Sequence, residues 1–164
     1  MSITEQIKDK GKIWHDQVES KSPIADLFRA PFSESLETKL DEFKSGIRPL
    51  WQEVVACSGS DEMAMTLRKS FAEIYDAAPD GDEIGDVLRS YAMKYVLLGS
   101  SMGSAFIYKT LQEKGYKNLN YFECTKNLAP EFIKLKKAID TEITKDQLPL
   151  VMEHIGQAYG MIRF

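Results

Sequence analysis

Apolar residues recur every three or four positions along almost all of this 164-residue chain, and that spacing gathers them on one side of an α-helix. Ile3, Ile7, Trp14 and Val18 make one stripe between Ile3 and Glu19. Leu36, Leu40, Phe43, Ile47, Leu50, Trp51 and Val54 make the next, with Ser33 placed to cap it. Pro49 lies inside that pattern and predicts a kink or break near Gly46. Asp61 is positioned to cap a third helix carrying Met63, Leu67, Phe71 and Ile74, which AAPDGD closes. One long pattern then runs from Asp82 to Lys114, another from Lys126 to Glu142 with Phe132, Leu135 and Ile139 inward. A last pattern runs from Lys145 to Phe164 with Leu148, Val151, Ile155, Tyr159 and Ile162 inward. Between the first two stripes, SKSPIADLFRAPFS reads as a turn, a short helix and a turn, punctuated by Pro23 and Pro31. No segment carries a β-hairpin signal. The expectation is an all-α, multi-helical bundle, with residues 1–164 as one domain.

Composition narrows what such a bundle would do. Hydrophobic residues are 43% and charged residues 28%, which suits a globular core and excludes a disordered or fibrous chain. A net charge of -4 gives no pull toward nucleic acid or anionic lipid, so an anionic ligand would need a local group of Lys or Arg. The first twelve residues are polar and lack the apolar centre of a signal peptide. No apolar run reaches the ~18–20 residues that span a bilayer. The expected compartment is the cytoplasm. Cys57 and Cys124 are isolated and read as buried, reduced thiols. The chain has no Rossmann fingerprint, P-loop, nucleophile elbow or H-E-x-x-H zinc site.

The stretch YVLLGSSMGSAFIYK, Tyr95 to Lys109, departs from the helical rule it sits in. Each interior glycine weakens a helix by ~1 kcal/mol relative to alanine, and Gly99 and Gly103 do so twice, one turn apart on one face. Ser100 and Ser104 add a second small stripe, and Gly-Ser pairs are places where helices bend. Two readings stand: a close helix–helix crossing, or a bare helix face against which a flat cofactor lies.

This run resembles the distal helix of bacterial haem oxygenases, which carry a Y-V-x-E-G-S-x-L-G-x-x-F-hydrophobic-aromatic-K pattern. In that family the helix bends at its glycines over one face of the haem, admitting oxygen to the iron and steering it toward the porphyrin edge. The resemblance implies haem b as both substrate and cofactor, and cleavage with O2 to biliverdin, carbon monoxide and iron. Gly99, Ser100 and Gly103 are then the catalytic positions. Electrons would come from an external donor such as a ferredoxin or a reductase, since the chain has no flavin or nicotinamide domain. Neither nucleic acid nor membrane is an expected partner, and a homodimer is compatible with the sequence. One departure bears on the chemistry: the family usually has Glu where this chain has Leu98, and mammalian relatives have an acid where it has Ser100. A carboxylate there organises waters that deliver protons. Without it, a module that holds haem or a related tetrapyrrole without turnover is the alternative, and a haem-oxygenase-like helical protein without haem is another.

The family also has a proximal histidine near its N-terminus in an H-D-x-V type run, which His15-Asp16-Gln17-Val18 matches. His15 is thereby the expected iron ligand. Gly11, one turn earlier, leaves room beside the imidazole for a flat ring, and Glu19 at i+4 is placed to accept from the second ring nitrogen. A lone histidine on a helix is otherwise an ordinary surface or packed residue. The haem propionates need cations, for which Lys12, with Lys8 a turn before it, and Lys109 are the candidates, though each also reads as a solvated lysine. Phe106, Tyr91, Tyr95 and Tyr108 are candidates for pocket walls, or plain core. The KLKK run, Lys134 to Lys137, reads as a solvated face able to attract an acidic electron-transfer partner. His154 reads as structural or exposed.

Overall fold

A computed structural model describes residues 1–25, 36–79 and 85–164. Among them the chain is an all-α, multi-helical bundle: α1 (Ile3–Lys21), α2 (Leu36–Cys57), α3 (Glu62–Tyr75), α4 (Val87–Ser100), α5 (Ser104–Glu113), α6 (Asn120–Thr125), α7 (Ala129–Glu142) and α8 (Leu148–Gly160), with a 3-10 turn at Lys145–Gln147 before α8. The expected Ser33 cap, the short helix before it, Pro31, and the start of the fourth pattern at Asp82 and Ile84 lie outside the described residues.

Local chemistry sets most of these boundaries. Ser2 accepts from the Glu5 amide while Glu5 reaches back to the Ser2 amide, a reciprocal cap that starts α1. The Asp61 carboxylate accepts from the Ala64 amide at 2.8 Å and starts α3 as its sequence indicates. Pro149, second in α8, costs the helix no amide bond there. The apolar stripe of α2 is buried in full, and the helix runs through Pro49 without the break expected near Gly46. Instead the Gly46 carbonyl accepts from the Arg163 amide at 2.8 Å, and Phe164 lies over the bare glycine.

One contiguous apolar cluster fills the interior. α8 is its axis, packing against α4 and α1, while α7 bridges α4 and α1. The α1–α8 seam is close because each helix offers a glycine. Gly11 lies under Ile155 and Met152, and Gly156 lies under the indole of Trp14. Thr4 ties α1 to α7 through its amide and hydroxyl, both donating to Asp140. On the far side Trp51 is fully buried and its indole N–H donates to the Tyr121 hydroxyl at 3.1 Å. Tyr121 and Phe122 join Phe43 and Phe164 in an aromatic cluster. No helix among the described residues is long and apolar enough to cross a membrane.

Candidate functional site

The long pattern from Asp82 to Lys114 is two helices, not one, and the break falls on the glycine–serine stretch. The Ser100 and Ser101 hydroxyls both donate to the Leu97 carbonyl, at 2.6 and 3.1 Å, taking up the acceptor the next helical amide would use. The amides of Ser101, Met102 and Ser104 then bond three residues back, to Leu98, Gly99 and Ser101, so the backbone tightens for one turn. The α-pattern resumes when the Ile107 amide reaches the Gly103 carbonyl. Ser104 is buried, and its hydroxyl pairs with Thr125 at 2.8 Å, which fixes the restart of the helix to α6.

The two glycines do not share one environment. A side chain at Gly99 would touch Phe132 of α7, 3.5 Å away, so that face of α4 is covered by a ring. Gly103 is exposed, and its nearest neighbour is the Ile107 side chain of its own helix. Ser100 is exposed and Ser101 buried. Leu98 is fully buried in the core and points away from solvent. Phe106 is 65% exposed, and Lys109 is exposed on the same helix.

His15 lies on the exposed side of α1, its side chain 57% accessible. Its Nδ1 is 3.3 Å from Asp16 and 3.5 Å from Glu19, so the expected i+4 partner is in place. Nε2 has no protein partner among the described residues, and this is the arrangement an imidazole ligand requires. The room expected beside Gly11 is absent, because Ile155 and Met152 of α8 occupy it. The ring edge meets Tyr159 instead, with centroids 6.5 Å apart. Lys12 is paired with Asp16; the bond to the Lys12 ammonium holds the Asp16 carboxyl below its ordinary value. Both line an open depression of about 540 Å³ with Asp9, Ile13 and Gln17. His15, Asp16 and Glu19 place one ligand atom each within 4.8 Å of one another, so the turn could also hold a cation, although Lys12 already occupies Asp16.

Of the expected pocket walls, Tyr95 meets Phe132 at 5.4 Å, Tyr91 donates to Glu142 at the end of α7, and Tyr108 sits under the Lys126 ammonium. Tyr159 and Phe132 are the residues that periodicity assigned only to the core. They stand beside His15 and Gly99 respectively, and nothing in their spacing distinguishes them from other inward aromatics. In the KLKK run, Lys134 pairs with Glu131 and Lys136 lies over the Phe132 ring at 4.7 Å. His154 is buried, as a structural residue would be. Cys57 and Cys124 are free thiols, half-buried where full burial was expected.

The fold and these contacts define an all-helical protein with an open histidine on its first helix and a glycine break in its fourth. Comparison with known proteins adds no relative: no family model, no curated protein and no solved structure matches the chain.

Proposed function

We propose that the chain binds haem b with His15 as the iron ligand and degrades it in the manner of the bacterial haem oxygenases its sequence resembles. The observation that carries this reading is the exposed His15 imidazole, whose Nδ1 meets Asp16 and lies near Glu19 while Nε2 has no protein partner among the described residues. Aromatic residues stand beside both His15 and the broken helix. Tyr159 meets His15 at one end, and Tyr95 meets the Phe132 that lies on Gly99 at the other. Bound haem, with oxygen and external electrons, supplies the ring-opening chemistry itself. The chain's share is to hold and orient. Asp16 and Glu19 flank the His15 ring, Lys109 offers an exposed cation for a propionate, and the exposed Ser100 hydroxyl can still accept from water after donating to Leu97. Leu98 brings no proton-relaying acid.

The Phe132 contact favours a second reading, in which Gly99 serves a helix crossing in a protein that binds no haem. A haemin titration followed in the Soret region separates the two. A saturating one-to-one complex with a histidine-ligated spectrum, lost in His15→Ala, supports the proposal; weak, featureless binding leaves the helix crossing. Ascorbate or a ferredoxin system then tests turnover, and a ferrous complex that never bleaches would assign a haem-holding module instead.

A further inference from the structure

We infer that the carbonyl end of α2 is the binding site of a small monovalent anion of the halide class, held between Lys94 of α4 and Arg68 of α3. Lys94 is 4% exposed, and its ammonium donates to the Ser58 carbonyl at 3.1 Å. Arg68 Nη2 donates to the Val55 carbonyl at 3.2 Å, and the Ser58 hydroxyl donates to that same carbonyl at 3.3 Å. Fully buried Ser58 thus touches one cation through its carbonyl and shares an acceptor with the other. Burial and then the neighbouring Arg68 charge disfavour the Lys94 ammonium, while Asp61 and Cys57 favour it.

Charge and donors are both left over. A helix C-terminus carries about half a negative charge, and two full positive charges face this one. Among the described residues no carboxylate lies within ion-pair distance of either cation. Asp61 is exposed and accepts from the Ala64 amide at 2.8 Å as the cap of α3, and Glu53 is paired with Arg89 at 3.0 Å. Buried charges in proteins are otherwise paired. Of the three N–H bonds of the Lys94 ammonium, Ser58 accounts for one. Arg68 Nε is buried without a hydrogen-bond partner. So is the hydroxyl of Ser90, 3% exposed and one turn before Lys94 on the same face of α4; the Cys57 sulfur near it is a weak acceptor. Water would satisfy these donors but not the charge; an anion does both. A halide matches a surplus of about one and a half charges and, being spherical, accepts from donors on separate helices. The cluster lies under the α2–α3 turn, whose Ser60 and Asp61 are exposed, so the path from solvent is short.

The test uses the full chain, with sodium chloride replacing sodium gluconate at fixed ionic strength. The melting temperature is expected to rise by about 3 °C and then level off as the site fills. The chloride-35 resonance is expected to broaden when protein is added. Lys94→Met and Arg68→Gln should each abolish both responses, whereas Lys12→Met, which removes a cation elsewhere, should leave them in place. Arg68→Gln carries the test if Lys94→Met does not fold. A rise that never levels off, or one that is equal in the wild type and Arg68→Gln, is the action of salt on the surface at large and would overturn the inference. So would a chloride resonance that the protein leaves unbroadened.

Discussion

At the scale of single residues, two glycines in helices give opposite expectations from what surrounds them. A methyl at Gly46 would sit 2.7 Å from Phe164 Cδ1 and 3.1 Å from the Arg163 carbonyl oxygen. The ring could turn, but the carbonyl is held in place because the Arg163 amide of the same residue donates to the Gly46 carbonyl. Gly46→Ala should therefore destabilise by about 1–2 kcal/mol despite its gain in helix propensity. Gly160 has nothing within 4 Å at the end of α8, so Gly160→Ala should stabilise by about 0.5 kcal/mol. Urea unfolding of the two variants checks both signs; a stabilised Gly46→Ala would mean the tail does not hold its place. Such neighbours come from distant parts of the chain, which is why spacing alone does not disclose them. Gly11 illustrates this: it suggested room beside His15, and α8 fills that room. Lys94 is another case. It sits in an apolar run and looks like a solvated break, yet it is 4% exposed, and its ammonium donates to the Ser58 carbonyl while Arg68 donates to that of Val55. Two cations thus serve the carbonyl end of α2, as a helix dipole favours.

At the scale of elements, the place of the interruption between α4 and α5 was legible as a bend, though not as a break into two helices, because its cause is local: two glycines, and serines whose hydroxyls compete for the Leu97 carbonyl. α3 was legible for the same reason, through Asp61. α6 was not, since its six residues are too few for a period and no side chain caps it. In α2 the break that Pro49 suggested near Gly46 does not occur, and the helix runs on to Cys57. The glycine break also offers a clean separation of stability from function. A methyl at Gly99 would meet Phe132 at 3.5 and 3.8 Å, ordinary contact distances, so Gly99→Ala should leave stability unchanged or raise it by up to about 1 kcal/mol. If haem lies against this face, the same variant should shift the Soret spectrum or weaken haemin binding. Thermal melts and titrations of one preparation read both, and an unchanged haemin titration would remove Gly99 from the proposed site.

At the scale of the whole molecule, burial of weak acids sets the response to alkali. Desolvation pushes the phenols of Tyr75 and Tyr121 well above the ordinary 10.0, and those of Tyr91 and Tyr159 up to about 12. It raises the Cys57 thiol and takes Cys124 up to about 11 from 9.0. The unfolded chain gives up these protons first, so the stability they carry is complete below about pH 9 and is lost above it. Tyr121 alone contributes a slope of about 1.4 kcal/mol per pH unit above about pH 10. Burial raises the Tyr95 phenol as well, and Lys94, lowered by burial, runs the other way as one group against these seven. The urea midpoint should therefore drop steeply at alkaline pH, with tyrosinate absorbance appearing together with loss of helix; phenols ionising first, in a protein still folded, would contradict it. The placement of the two indoles has an optical consequence of its own. Trp51 is sealed in the core on the Tyr121 hydroxyl, whereas Trp14 is half-buried on the α1–α8 seam next to His15. The emission of this chain is therefore the sum of a shielded, short-wavelength component from the interior and a quencher-accessible one from the seam. A change confined to the second reports on the histidine's surroundings while the first vouches that the core is intact.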